Sequence, residues 1–339
     1  MHDVLIAGGG PAGLAVALGA AHAGLDVVLV EKRPGTIDKA CGEGLMPGAL
    51  RALQDLGVDP AGAPITGITY RQDDATAVAR FRRGAGRGVR RTVLHDDLRA
   101  AALAAGVTIV RGTVTDVRQS TDTVTAGGFR ARYLVAADGL HSPLRAALGL
   151  DAVDHRAPRW GLRRHFAMPA VADTVEVVWS TGAEAYVTPV SPDTIGVAVL
   201  SGRRGGFDDQ LAAFPALAAR LRTGQPISDV RGAGPLRQRC TARVAGRVLL
   251  VGDAAGYVDA LTGEGLALSL GAARELVRCL RRDRPQDYER AWARVSRRSR
   301  WITEGLLWAR TYGATSRRIV PMAARAPRIF AAAVDQLAR

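Results

Sequence analysis

Apolar positions along the chain fall into runs and alternations that predict its elements. Residues 4–7 form a short apolar run, followed by Gly8-Gly9-Gly10-Pro11-Ala12-Gly13. An Ala/Leu-rich stretch then extends to about residue 23, where Gly24 stops it, and residues 27–30 form a second apolar run closed by Glu31. The reading is strand, glycine turn, helix, strand. Residues 133–145 (YLVAADGLHSPLR) predict a strand ending in Asp138-Gly139, then a helix opened by Ser142 and Arg145. Residues 88–107 predict a strand or turn entering a helix, and TIVRGTVTDV at 108–117 predicts strands. Residues 248–251 read as a buried strand and Leu266 as the start of a helix. Segments 66–82 and 159–200 instead alternate with the period of a strand, as in WGLRRHFAM, TVEVVWS, EAYVTPVS and TIGVAVL. They predict an antiparallel sheet inserted between the other pieces. The tail 301–339 has apolar residues at roughly helical spacing, with arginines opposite.

The glycine turn carries chemistry because a strand precedes it and a helix follows it. Gly8 permits the tight turn, Gly10 lets a pyrophosphate approach the backbone, and Gly13 lets the helix pack close, with Ala12 between them. The helix N-terminus offers N–H donors and a positive dipole end to phosphates. Glu31, 18 residues beyond Gly13, stands where a carboxylate accepts from ribose hydroxyls. This points to a dinucleotide, and the motif does not distinguish NAD from FAD.

The first 45 residues, the Asp138-Gly139 segment and Gly252-Asp253 occur here in one order. In that order they resemble the FAD-dependent hydroxylases similar to para-hydroxybenzoate hydroxylase, and the related geranylgeranyl reductases and flavin-dependent halogenases. The resemblance covers nearly the whole chain and implies FAD. It implies that Asp253 holds the ribityl chain, whose hydroxyls need a buried acceptor. It takes Thr262-Gly263-Glu264-Gly265-Leu266 past the flavin ring, where Gly263 and Gly265 avoid a collision. The helix from Leu266 would then aim its dipole at the N1/C2=O edge. The segment DKACGEGLMPGAL, 38–50, resembles the Cys-Gly-Gly-Gly type segment of geranylgeranyl-reductase-like proteins. It implies that Cys41, Gly42 and Gly44 lie against the cofactor, with Cys41 the one candidate for chemistry. By the same resemblance Arg91 contacts the FAD phosphate or ribityl region, the backbone of Val114 meets the adenine, and Asp138 belongs to the cofactor site.

The implied architecture is α/β: a Rossmann-like FAD-binding domain with an inserted antiparallel substrate sheet and a helical C-terminus. The FAD-binding domain takes residues 1–65, 88–158 and 235–285; the sheet domain takes 66–87 and 159–234; the helical segment is 286–339. The substrate pocket is expected between sheet and flavin. Arg163, His165, Trp179 and Tyr186 are candidates for polar or stacking contacts with a small hydrophobic or aromatic substrate. No Ser/His/Asp triad, paired acids or metal set stands out, so the flavin carries the chemistry. The first expectation is a monooxygenase reduced by NAD(P)H that hydroxylates an aromatic or polyketide-like ring through a C4a-hydroperoxyflavin. The alternative is reduction of isoprenoid double bonds, which the Cys41 segment and the Thr-Gly-Glu-Gly run favour. A flavin-binding protein without turnover is the alternative of another class. The halogenases use a lysine near 70–90 and a Trp-x-Trp-x-Ile-Pro motif, and this chain has neither.

Composition changes this picture in two places. Of 46 basic residues only Lys32 and Lys39 are lysine, and the net charge is +14. From Arg274 onward 16 arginines face six acids, so the surplus is concentrated in the tail. Aromatics are not interleaved with the arginines as a single-strand binder needs, so nucleic acid is not expected. A solvated helical face is the plain reading, and contact with a membrane surface is the other. Cys41, Cys240 and Cys279 form an odd, sparse set without metal spacing. With no basic, cleavable leader in MHDVLIAGGG, this suggests the cytoplasm.

Overall fold

A computed structural model describes residues 1–311 and 316–338. Residues 312–315 and Arg339, which belong to the expected C-terminal helical segment 286–339, lie outside the described residues. The parallel strands are ordered Val248–Leu250, Phe129–Ala136, His2–Ala7, Val27–Glu31, Thr108–Arg111. An antiparallel strand, Val244–Ala245, flanks Val248–Leu250. Residues 4–7, 27–30, 133–136 and 248–250 of these strands read as unbroken apolar runs because both faces of a parallel sheet are covered. The helix Pro11–His22 is apolar nearly all round and lies between this sheet and the helix Gly265–Arg281. The helix Arg91–Ala104 packs beside it.

The second sheet is ordered Gln225–Pro226, Trp160–Ala167, Thr194–Ser201, Ala183–Ser191, Thr174–Ser180, Gly67–Gln72, Ala75–Arg80. Its middle strands pair antiparallel, as the alternation predicts, but Thr174–Ser180 runs parallel to Gly67–Gln72. These two strands enter from separate excursions of the chain. No hairpin joins them, so no turn imposes the antiparallel sense. One face of the sheet packs on the short helices Phe207–Leu211 and Pro215–Leu221. The other packs on Ile319–Arg325 and Pro327–Leu337, with Met46 and Leu261 from the parallel-sheet layer in the same apolar cluster. The long helix Asp287–Thr311 lies on Gly265–Arg281. No described helix is long and apolar enough to cross a membrane.

Candidate cofactor and substrate site

The glycine turn shows which of its glycines the fold itself demands. Gly8 sits at φ +109°, and a Cβ there would lie 2.4 Å from the Ala137 carbonyl oxygen. At Gly13 a Cβ would lie 2.0 Å from the Gly8 carbonyl oxygen, which sets how closely Pro11–His22 approaches the turn. At Gly10 a Cβ would meet nothing within 4 Å. The protein leaves that face of the backbone open, as an approaching pyrophosphate requires. Glu31 accepts the Gly9 N–H at 2.7 Å, and the Arg33 backbone N–H and Nε at 2.9 Å each. Burial pushes the Glu31 carboxyl up, but these bonds outweigh it and hold the group below its ordinary value. His95 secures the turn from the helix Arg91–Ala104: its Nδ1 accepts the Ile37 N–H at 3.3 Å, and its Nε2 donates to the Gly9 carbonyl at 3.1 Å.

Three acidic or basic groups are expected in the middle of the site: Asp138, Arg91 and Asp253. Asp138 accepts the Leu144 N–H at 3.1 Å through one oxygen, and its other oxygen is buried without a partner. Arg91 donates its backbone N–H to Glu43 at 2.8 Å, while its Nη1 is buried without a partner. Asp253 stands at the end of Val248–Leu250, opposed by the charges of Lys39 and Arg91; burial pushes its carboxyl up. Two further residues belong here that sequence reasoning passed over. A Cβ at Gly139 would touch the Lys39 Nζ at 3.1 Å, so this lysine lies against the Asp-Gly turn. Arg145 ties the two acidic segments together, donating to the Leu140 and Ala254 carbonyls at 3.2 Å and to Asp151 at 2.5 Å. The signal for Lys39 was its rarity as one of two lysines; Arg145 had no signal beyond its place at a helix start. Val114 is buried just beyond Thr108–Arg111.

The residues present fit FAD. Arg91 and Asp138 each have a buried polar atom without a partner, and Gly10 and Gly42 have open space where a Cβ would be. Lys39, Arg33 and Arg91 supply positive charge for a pyrophosphate, and Asp138 and Asp253 supply acceptors for hydroxyls.

The Cys41 segment is built around the residue that sequence reasoning left out. Glu43 is 2% exposed and lies at φ +59°, a left-handed conformation that costs a non-glycine residue about 1–2 kcal/mol. Its Oε2 accepts a hydrogen bond from His165 Nε2 at 2.6 Å, and its carbonyl accepts the Val89 N–H at 2.8 Å. Its own N–H donates to the Cys41 Sγ at 3.4 Å. Arg163 Nη1 donates to His165 Nδ1 at 3.0 Å, which fixes the ring proton on Nε2, and Arg163 also pairs with Asp38. Gly196 has no side chain to block this: a Cβ there would lie 2.7 Å from the Glu43 carboxylate. Burial, then the Glu43 charge, push the Cys41 thiol up, so it stays protonated.

The candidates for substrate contact are buried and engaged within the protein. Arg163 and His165 are each 1% exposed and engaged by Asp38 and Glu43. Tyr186 donates to the Leu261 carbonyl at 2.7 Å, and Trp179 lies edge-on to Tyr70 inside the apolar cluster. Strand alternation put these side chains on the inner face, and the facing layer supplied partners from more than 70 residues away. Around them lie the mainly apolar Met46, Ile65, Tyr70, Leu236 and Leu261, and the buried Glu184, which is paired with Arg159 and Arg310.

At the Thr-Gly-Glu-Gly run, Gly263 has φ +67°. Gly265 makes room for Tyr257, whose ring would be 3.3 Å from a Cβ. Behind it Asp259 pairs with Arg159 at 2.8 Å, and Arg159 and Arg310 both pair with buried Glu184. Glu264 borders a cavity of ≈230 Å³. Burial pushes its carboxyl up to about 7, against hydrogen bonds from Ser299 and Thr262, and one of its oxygens has no partner. A carboxyl raised in the folded state costs stability when it ionises. That cost is absent below the unfolded value near 4.5 and grows as pH rises through about 7. Glu264→Gln should therefore be more stable than the parent at pH 8, by up to about 3 kcal/mol, and no more stable at pH 4. Urea melts at the two pH values check it; equal differences at both would refute it.

A family model described as an FAD binding domain matches residues 1–282. Menaquinone reductase of Mycolicibacterium smegmatis is 29% identical over 332 residues, covering 86% of this chain and 79% of that protein. Digeranylgeranylglycerophospholipid reductase 1 of Methanothermobacter thermautotrophicus is 29% identical over 293 residues, covering 78% and 73%. Among solved structures, the flavin-dependent brominase Bmp2 superposes with a TM-score of 0.82 at 17% identity, over 99% of this chain and 93% of that one. A point mutant of halogenase PltM in complex with FAD gives 0.75 at 16%, over 89% and 75%. At such identity these structures are similar in fold alone. By its match to the FAD-binding-domain family over most of its length, the chain belongs to the FAD-dependent oxidoreductases.

Proposed function

We propose that the protein is an FAD-dependent reductase of carbon–carbon double bonds in an apolar, isoprenoid substrate, drawing its electrons from NAD(P)H. FAD supplies the hydride when bound. The observation that carries the reading is the inner face of the sheet. Its polar candidates, Arg163, His165 and Tyr186, are spent on Asp38, Glu43 and a backbone carbonyl. The surroundings are mainly apolar, with Arg159 already paired with Glu184 and Asp259 and Arg310 with Glu184, which suits a prenyl chain better than a phenolate. The relatives whose names carry reduction of a prenylated quinone or a geranylgeranyl lipid support it, and so does the Cys41-Gly42-Glu43-Gly44 segment. This ranks reduction above hydroxylation, the first expectation from the sequence. Within the site, Glu43 holds the Cys41 segment in place and the C-terminal helices exclude water. The protonated Cys41 thiol offers a proton beside open Gly42.

The test is anaerobic incubation of the flavin-loaded protein with NAD(P)H and a prenylated quinone or geranylgeranyl lipid, followed by mass spectrometry. A gain of two hydrogens per reduced double bond is expected. No mass change with either lipid, together with oxygen-dependent hydroxylation of an aromatic compound, would restore the other reading.

A further inference from the structure

The helix Asp287–Thr311 carries an outward stripe of exposed arginine and tryptophan side chains. Arg290, Arg294, Arg297, Arg298, Trp301 and Trp308 follow one another at helical spacing and are all exposed. Trp301 is 80% exposed and Trp308 63%. The opposite side of the helix is buried through Tyr288, Ala291, Trp292, Ser296 and Thr303. At 1.5 Å per residue the stripe is about 27 Å long, arginines along its first half and tryptophans along its second.

So much exposed tryptophan surface on one stripe is unfavourable in water, since an indole ring prefers apolar surroundings for its body with a polar edge at its rim. That environment exists at a bilayer interface, where tryptophan rings sit at headgroup level. The arginines then meet lipid phosphates, which guanidinium groups bind in bidentate fashion. A single-stranded nucleic acid would want bases stacked between the cations, whereas here aromatics and cations are separated along the axis. A second copy of the chain would bring a like-charged stripe against this one. No described helix can cross a bilayer, so the contact is interfacial.

We propose that this stripe docks the enzyme on anionic phospholipid bilayers, with Trp301 and Trp308 entering the interface and the arginines on the headgroups. The same helix reaches the site: Arg310, just past Trp308, pairs with Glu184, which also pairs with Arg159 and through it with Asp259. Docking thus brings the site's flank to the lipid surface. The docking argument stands on the helix surface alone and does not depend on which reaction the flavin performs.

The experiment uses the purified full chain with its flavin. Vesicles of phosphatidylcholine alone are compared with vesicles that also contain phosphatidylglycerol, by co-sedimentation and by tryptophan emission with brominated lipid chains. The protein should sediment with the anionic vesicles, release on added salt, and show emission quenched by the bromines. Trp301→Ser/Trp308→Ser should lose the quenching and bind at least about tenfold more weakly. Arg294→Glu/Arg297→Glu should lose the dependence on phosphatidylglycerol. Both variants should keep flavin absorbance and helical circular dichroism, since the side chains lie outside. Absence of vesicle binding, binding undiminished in the tryptophan variant, displacement by an oligonucleotide, or self-association that shields the tryptophans without vesicles would each overturn the proposal.

Discussion

Glu43→Ala should lose about 3–5 kcal/mol of stability and release the flavin, because it breaks a buried charge network from its centre. The carboxylate accepts hydrogen bonds from His165 Nε2 at 2.6 Å and the Arg91 N–H at 2.8 Å, with the buried Arg163 Nε 3.9 Å away. Alanine leaves all three without it, in a place water does not reach. It also leaves a Cβ residue at φ +59° with none of the bonds that hold it there. Glu43→Gly tests the two costs separately: it removes the same bonds but relieves the left-handed strain. It should be about 1 kcal/mol less damaging than alanine. Glu43→Gln keeps an acceptor for His165 and should lie between the parent and alanine. Urea unfolding with flavin fluorescence as a second channel reads both effects. Glu43→Ala with parental stability would show that the network is dispensable.

Gly10→Ala should leave the fold unmoved and weaken FAD by about a hundredfold or more, roughly 2.7 kcal/mol. A Cβ at Gly10 meets no protein atom within 4 Å, and its backbone, at φ −73° and ψ 175°, accepts any residue. The fold therefore gives no reason for glycine there; an approaching pyrophosphate does. Gly13→Ala is the control with the opposite pattern. Its Cβ would overlap the Gly8 carbonyl oxygen at 2.0 Å, both backbone positions, so the helix must move and the apoprotein itself should lose stability. Melting of flavin-stripped protein, with FAD titration of the same samples, separates the two. Full FAD affinity in Gly10→Ala would contradict the placement of the pyrophosphate.

The elements near the N-terminus were legible because their signals are local. The apolar runs, Gly8 to Gly13 and Gly24 mark strand, turn and helix within a few residues of one another. Strand alternation in 159–200 was equally local and located Trp160–Ala167, Thr174–Ser180, Ala183–Ser191 and Thr194–Ser201. What alternation cannot give is the partner layer. Arg163 and His165 share an inner face whatever faces it, and only the fold sets Asp38 and Glu43 there, more than 120 residues earlier. For the same reason they read as substrate contacts. Glu43 itself stood in a glycine-rich run where its neighbours took the attention, and a left-handed glutamate has no sequence signature. The parallel pairing of Thr174–Ser180 with Gly67–Gln72 was illegible because no connecting turn encodes it.

The most direct test of the central claim follows the flavin itself. The protein is reduced anaerobically and mixed, without oxygen, with a prenylated quinone or geranylgeranyl lipid while the flavin absorbance is recorded. Reduction of an isoprenoid double bond predicts that the oxidised flavin spectrum returns in the absence of oxygen, with one double bond lost per flavin. A flavin that stays reduced beside every such lipid, and reoxidises only when oxygen is admitted with an aromatic compound that is then hydroxylated, would contradict it.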